Sequence, residues 1–465
     1  MAQNFNAFRL GDIRGVYPDD INEIFVESFA HALVGQFNLG GRIATGRDMR
    51  ASSESLQYVL NDTLSSIGID VVNIGLCPTE LAYFASGQQN IEAAIVVTAS
   101  HNPARYNGLK IVLSNGYAIT FENGLAAIRQ RMEMGYRHPT ARGSIQRKDY
   151  HKRYLQFLGE LFPAKSLGSA RIALNGLNGT AATMAGMIAT ELDLSVSWFR
   201  KHPGPIPTEG ADPANPALVA EMKTFMEGQG FTLGVAWDGD CDRCVCFDES
   251  GDLIPTYYLI GLLIENFLTE RPGAAVVFDT KLCWNTLDMI KLHGGTPVPA
   301  ATGHAFMKQK MHEYGAAYGG ELSSHHYFGD FWGCDSGMFA WLTVLRLLAA
   351  KGEKIQDLVA ARREAINCTP EITLALTDVD AAFNAVLKHF ESSANKIDHF
   401  DGLSFEMPGD WRFSLRKSKT EPVIRLNFEA RMAPDTLLEE GRKVLELLES
   451  FRSDDRDWMG GFYIQ

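Results

Sequence analysis

Three times along this chain the same local grammar recurs: a short apolar strand, a small polar loop, a helical run and a second strand. The copies begin at residues 42, 171 and 274. In the first, residues 42–48 run apolar into polar, Leu56, Val59, Leu60 and Leu64 fall at helical spacing, and residues 69–74 return as a strand. The second has a strand at 171–176, a small-residue helix at 180–192 and a strand at 194–199. The third has a strand at 274–279, a helix at 285–292 and then the stretch Gly294-Gly295-Thr296-Pro297-Val298. Such βαβ units demand right-handed crossovers between parallel neighbours, which confines the fold to α/β domains. Each copy also carries a further apolar strand that ends in a loop of reactive side chains, at 95–103, 233–243 and 316–326. Open α/β sheets place their chemistry at the carboxyl ends of strands, so the three loops are expected to converge.

After residue 368 the grammar changes. Strand patterns at 371–376, 411–415 and 423–430 alternate with amphipathic helices at 380–390 and 435–451, which is α+β. At about 150 residues per domain, 465 residues make three or four domains. The expected division is three related α/β domains with mixed, largely parallel sheets at 1–150, 151–255 and 256–368, with a smaller α+β domain at 369–465 around a central cleft. Residues 453–465 are expected to form a tail.

A net charge of −13 argues against a nucleic-acid or anionic-membrane partner, and any phosphate site must concentrate its own positive charge. Seven scattered cysteines read as reduced thiols, and no fourth ligand accompanies Cys241, Cys244 and Cys246 at zinc spacing. The first residues lack the basic and apolar regions of a signal peptide, and the most apolar helical stretch, 338–350, is too short to span a bilayer. A cytoplasmic protein is expected, as a monomer or homodimer.

Four loops carry the chemistry. Thr98-Ala99-Ser100-His101-Asn102-Pro103 puts one hydroxyl at a strand end, in a turn held by Asn and Pro. Asp238-Gly239-Asp240-Cys241-Asp242-Arg243 carries carboxylates at i, i+2 and i+4, about 7 Å apart on an extended backbone. Each adjacent pair would then repel by roughly 2 kcal/mol, and a hard cation such as Mg²⁺ is the natural reason to hold them together. An EF-hand shares this spacing, but its sixth position needs Gly and here is Arg243, between strand-like flanks. A solvated acidic hairpin turn is the plainer alternative.

Gly319-Gly320-Glu321-Leu322-Ser323-Ser324-His325-His326 offers an acceptor and hydroxyls suited to sugar hydroxyls, preceded by Thr302-Gly303-His304. Arg416-Lys417-Ser418-Lys419-Thr420-Glu421-Pro422 lies in a stretch, 410–431, with six basic and three acidic residues, a local inversion suited to a phosphomonoester. Arg14 in a Gly-bounded turn and Lys110 are further cations, each either facing a phosphate near Ser100 or equally a surface cation.

In combination and in this order, these four loops resemble the α-D-phosphohexomutase family over essentially the whole chain. The run from Glu321 to Phe331, with Cys334-Asp335-Ser336-Gly337 after it, is most similar to the bacterial phosphomannomutases of that family. The resemblance implies that Ser100 is phosphorylated and that one Mg²⁺ is held by that phosphoserine with Asp238, Asp240 and Asp242. It implies transfer between mannose 1-phosphate and mannose 6-phosphate through a hexose 1,6-bisphosphate, which also serves as activator. Arg14, Lys110 and Arg243 would line the phosphoserine site. Glu321 and Ser323 would read sugar hydroxyls, with Lys281, His304 and His325 along the cleft. Arg416, Ser418, Thr420 and Arg425 would hold the distal phosphate.

The group that moves the sugar hydroxyl's proton stays open between Lys110, His101 and His304. The pattern departs at Gly11, where many members have Tyr, at Lys419, and at residues 206–213. Phosphoglucomutase or dual specificity is the near alternative. A metal-dependent sugar phosphatase and a non-catalytic sugar-phosphate sensor are the distant ones.

Overall fold

Strand β1 (Ile13–Val16) is followed by β2 (Arg42–Arg47), β3 (Asp70–Leu76), β4 (Ile91–Val97), β5 (Tyr106–Leu113) and β6 (Ile145–Arg147), in the spatial order β1-β5-β4-β2-β3-β6. β2 runs parallel to β3 and β4, while β5 runs antiparallel to β4 and β1. Helix Ser53–Ser66 crosses between β2 and β3 and buries Leu56, Leu60 and Leu64, one per turn, in a core with Ile43, Val71 and Ile95. Each such burial stabilises by about 1.5–3 kcal/mol. β4 is covered along almost its whole length, which is why its sequence is nearly continuously apolar.

The computed structural model describes residues 5–207, 210–418, 422–453 and 462–465. Contacts divide the chain into two units, one of Met1–Ile254, Ala274–Val277 and Gly303–Gln356, the other of Pro255–Gly273, Phe278–Thr302 and Asp357–Gln465. In the first unit the second βαβ copy forms β7 (Arg171–Asn175), β8 (Ser195–Phe199), β9 (Leu233–Trp237) and β10 (Cys244–Phe247), ordered β10-β9-β7-β8. β7 is parallel to β8 and β9, and β10 returns antiparallel to β9, so the acidic loop caps a β9–β10 hairpin. The first unit also holds the antiparallel strands Tyr318–Gly320, His326–Phe328 and Cys334–Asp335 and the buried helix Gly337–Lys351. Ser336 caps that helix by accepting from the Phe339 amide at 3.0 Å.

The second unit contains helices Thr256–Glu270 and Trp284–Leu292 and an antiparallel sheet in which Val423–Ala430 pairs with Ile372–Ala375 and with Trp411–Lys417. Phe390, Phe405, Phe413 and Phe428 share its core, with helices Val379–Phe390 and Pro434–Glu449. The chain thus carries three α/β domains with mixed sheets and a further α+β sheet domain at its C-terminal end. The expected tail is corrected in part, because Phe462 is buried in this core and the Gln465 amide donates to the Cys368 carbonyl at 2.9 Å. An aromatic ring at the end of a polar stretch finds the gap above Gly441. Among the described residues, no helix is long and apolar enough to cross a membrane.

Glu80, in helix Thr79–Ser86, is fully buried against Ser336 Oγ and the Met338 amide, 3.2 Å away. Burial pushes its carboxyl up to about 8, against the opposing pull of Ser336 and the Met338 amide. A raised acid binds its proton in the folded state and releases it in the unfolded state between the ordinary value, 4.5, and about 8. Stability from this group is therefore present below the lower value and is lost as pH rises to the upper one. Glu80→Gln is expected to raise Tm relative to the parent at pH 8.5 and to leave it little changed at pH 5, as read by circular-dichroism melts.

Candidate active site

The chain leaves β4 at Thr98 and turns at Ser100, whose φ of 52° lies in the left-handed region. That conformation costs a non-glycine residue roughly 1–2 kcal/mol, so something must hold it. Thr98 Oγ1 accepts from the Ser100 amide at 2.9 Å and donates to Asp48 Oδ2 at 2.8 Å. Arg50, 3 % exposed, donates to the carbonyls of Ser100 (2.8 Å), Asn102 (2.6 Å), Pro103 (2.8 Å) and Tyr106 (3.0 Å), and pairs with Asp48 at 3.0 Å. Sequence reasoning alone does not reach Asp48 and Arg50. The available signal is that residues 48–50 follow β2, which lies beside β4 and ends at the same edge.

Ser100 is 1 % exposed, and its Oγ donates to Asp238 Oδ2 at 2.8 Å. The acidic loop approaches closely because Gly239 has no side chain; a Cβ there would lie 2.8 Å from the Ser100 carbonyl oxygen. The expected extended spacing of 7 Å is corrected. The loop turns at Cys241, φ 67°, and brings oxygens of Asp238, Asp240 and Asp242 within 4.8 Å of one another, all three residues buried. At that separation each pair repels by about 3 kcal/mol, so a positive charge is required. Lys110, on β5 opposite Val96, supplies one: its Nζ pairs with Asp240 Oδ2 at 2.7 Å and with Asp242. Its ammonium thus lies against two carboxylates of the triad whose third member, Asp238, meets Ser100. Thr79, another residue outside the sequence reading, donates from its amide to the Asp240 carbonyl at 2.9 Å and from Oγ1 to Asp240 Oδ2 at 2.7 Å.

Burial, followed by the charges of Asp242 and Asp240, pushes the Asp238 carboxyl well up. Burial also disfavours charge at Asp242, but Lys110 and His325 overcome it and hold that carboxyl well below the usual range. The same carboxylates reverse the effect of burial on Lys110 and raise its value, so it stays an ammonium. Asp240 Oδ1 and Asp242 Oδ1 are buried without a hydrogen-bond partner among the described residues. An all-oxygen donor set with open lone pairs fits a hard divalent cation.

The third loop joins the second directly. Arg243 and His325 form an antiparallel bridge, the Cys244 amide donates to the Ser324 carbonyl at 3.1 Å, and His325 Nε2 lies 3.4 Å from Asp242 Oδ1. Ser323 Oγ and His325 Nδ1 are 2.8 Å apart. Glu321 accepts from the Gly303 amide at 3.1 Å and the Tyr327 hydroxyl at 3.0 Å, which fixes its carboxylate and leaves further lone pairs. Arg14 pairs with Asp12 at 2.6 Å and donates to Asn102 Oδ1 at 2.7 Å, beside the serine turn. His101 Nδ1 is 3.1 Å from Ser100 Oγ; burial, then Arg243 and Arg14, hold its imidazole well below the usual value. At Gly11 a Cβ would lie 2.6 Å from that of Ala305, so a tyrosine there would collide with helix His304–Tyr314.

The first unit therefore gathers Arg14, Ser100, His101, Lys110, Asp238, Asp240, Asp242, Arg243, His304, Glu321, Ser323 and His325. The second unit holds Lys281, Arg416, Ser418 and Arg425. Arg416 and Arg425 face each other across the strand pair, and Glu371 lies 3.5 Å from Arg425 and 3.7 Å from Lys281. The Ser418 amide donates to the Val423 carbonyl at 2.9 Å. Lys419 and Thr420 lie outside the described residues. The basic excess of this stretch is smaller than its composition suggests. Arg412 is buried against Glu429 and donates to the Lys281 carbonyl at 2.8 Å, Lys417 pairs with Asp380, and Arg431 pairs with Asp288 at 2.7 Å.

Residues 6–137, 152–251 and 255–365 match, respectively, domains I, II and III of the description "Phosphoglucomutase/phosphomannomutase, alpha/beta/alpha". A phosphomannomutase of Salmonella montevideo is 37 % identical over 456 residues, covering 96 % of this chain and all of that protein. A protein of Xanthomonas campestris named phosphohexose mutases is 38 % identical over 431 residues, covering 91 % of this chain and 95 % of that one. A crystal structure of a phosphoglucomutase/phosphomannomutase family protein from Burkholderia thailandensis has a TM-score of 0.83 at 27 % identity, covering 96 % of this chain and 98 % of that one. The chain belongs to the phosphoglucomutase/phosphomannomutase family and is an isomerase of the phosphohexomutase type.

Proposed function

We propose that this enzyme is a phosphomannomutase that interconverts mannose 1-phosphate and mannose 6-phosphate by way of phosphoserine at position 100. The observation that carries this reading is the Ser100 hydroxyl, buried in a turn held from behind and 2.8 Å from a carboxylate of a buried acidic triad. Names of similar proteins add to it: phosphomannomutase in Salmonella and in Escherichia coli, both at 37 % identity.

In the proposed cycle the phosphoryl group passes from Ser100 Oγ to the free hydroxyl of a hexose monophosphate. The P–Oγ bond breaks as the new P–O bond forms, the hydroxyl loses its proton to a base, and a hexose 1,6-bisphosphate results. After the bisphosphate turns, its other phosphoryl group returns to Ser100. Asp238, Asp240, Asp242 and the phosphoserine would hold one Mg²⁺, which when bound supplies charge neutralisation for phosphoryl transfer. Lys110, Arg14 and Arg243 supply the remaining positive charge at the serine. His101, neutral and with Nδ1 3.1 Å from Ser100 Oγ, is suited to exchange that hydroxyl's proton. Glu321 and Ser323 read the sugar hydroxyls, with Lys281, His304 and His325 along the sugar cleft, and Arg416, Ser418, Thr420 and Arg425 take the distal phosphate. The four-domain division at residues 150, 255 and 368 belongs to the same reading, as does a cytoplasmic location.

The test is a comparison of kcat/KM for mannose 1-phosphate and glucose 1-phosphate, with Mg²⁺ and a trace of hexose 1,6-bisphosphate. The expected result is conversion to the 6-phosphates with mannose preferred. Equal values would establish dual specificity, in keeping with the Xanthomonas name, and release of inorganic phosphate as the main product would make it a phosphatase.

A further inference from the structure

Behind the acidic triad and the sugar loop lies a cation with no place in the cycle above. Lys308, on helix His304–Tyr314, is fully buried. Its ammonium meets Asp335 Oδ1 at 2.7 Å, the Tyr83 hydroxyl at 2.9 Å and His304 Nδ1 at 3.3 Å. Asp335 is fully buried too, so the pair is a costly feature unless it organises something. What it touches is informative. An ammonium has three protons and no lone pair, so toward an imidazole nitrogen it can only donate.

His304 Nδ1 must therefore be the unprotonated nitrogen, and the ring proton sits on Nε2. A second contact agrees. Nε2 lies 3.9 Å from Asp12 Oδ2, and a carboxylate favours N–H over a lone pair on the nitrogen facing it. Nε2 is buried and has no hydrogen-bond partner among the described residues. Its nearest carboxylate, Asp12, pairs with Arg14, which in turn binds Asn102 in the serine loop. Burial and the neighbouring Lys308 and Lys110 also hold the ring well below its usual value, so it is neutral.

We propose that Lys308 is a positioning residue that fixes His304 in the Nε2–H tautomer, so that His304 offers the substrate a hydrogen-bond donor and not a base. This rests on the mutase reading and narrows it, because it removes His304 from the three candidates for the group that deprotonates the sugar hydroxyl. The donor suits a phosphoryl or hydroxyl oxygen of the bound sugar phosphate.

The test uses the full chain labelled with [¹⁵N]histidine, with His304 signals identified by their loss in His304→Gln. In the parent, His304 is expected to show a protonated Nε2 and an unprotonated Nδ1. A protonated Nδ1 would overturn the proposal without any variant. Lys308→Met combined with Asp335→Asn, which leaves no unpaired charge, is expected to mix the two tautomers and to lower kcat/KM by roughly tenfold to a hundredfold. Asp335→Asn alone keeps the donor and is expected to keep the tautomer. If the double variant loses only thermal stability, with tautomer and kcat/KM unchanged, Lys308 is a structural pair and the proposal fails. Should the parent turn over no hexose phosphate, the mutase reading falls while the tautomer assignment is still decided by the spectrum.

Discussion

Ser100→Ala is expected to take up no phosphate from hexose 1,6-bisphosphate and to lose turnover by roughly 10⁴- to 10⁶-fold, the range seen when a covalent nucleophile is removed. The substitution deletes one oxygen and little else. The turn that carries Ser100 is held through its amide and carbonyl, by Thr98 and Arg50, and alanine retains both groups. The left-handed φ costs alanine about as much as serine, so the fold should survive. Loss of the bond from Ser100 leaves Asp238 its other partners, the Arg243 amide at 3.2 Å from Oδ1 and the Arg243 side chain at 3.9 Å from Oδ2. Binding groups on the sugar loop are untouched, so KM should change little while kcat collapses. Intact mass after bisphosphate treatment gives the first readout: one added phosphate on the parent and none on the variant. A variant that still gains the phosphate would place the nucleophile elsewhere.

How much of this was legible in the sequence depends on whether an interaction is local. The βαβ copies could be read because helix Ser53–Ser66 spaces its buried leucines by one turn and β4 is a near-continuous apolar run. The acidic loop could be read as a cation site because three aspartates at alternate positions need a counter-charge in any conformation. Their separation could not, since it is set by the turn at Cys241 and by how far Lys110 reaches from another strand.

Buried cations were the least legible. Arg50 meets carbonyls from 50 to 56 residues away, and Lys308 meets Tyr83 225 residues away; nothing near either residue marks it as internal. Composition misled at 410–431, where Arg412 counts as a phosphate-binding cation but serves Glu429 and the Lys281 loop. Phe462 reads as part of a tail because its place in the core depends on the room above Gly441.

Arg50→Met is expected to be the most destabilising single change near the site, lowering unfolding free energy by about 3–5 kcal/mol. The guanidinium neutralises Asp48, which is fully buried, and satisfies four carbonyls of one loop. Methionine fills similar volume and supplies none of this, so a buried carboxylate and several acceptors are left unpaired. Adding Asp48→Asn removes the stranded charge and should restore part of the lost stability in urea titrations. Activity should not follow that recovery. Without the four donations the turn at Ser100 keeps only the bond from its amide to Thr98 and loses the hold on its carbonyl side, and a displacement of about 1 Å between nucleophile and acceptor costs roughly a hundredfold in rate. The double variant should therefore fold, bind hexose phosphate with near-parental KM, and form phosphoserine about a hundredfold more slowly. A double variant with parental kcat would show that the serine turn is held by its own residues and that Arg50 contributes stability alone.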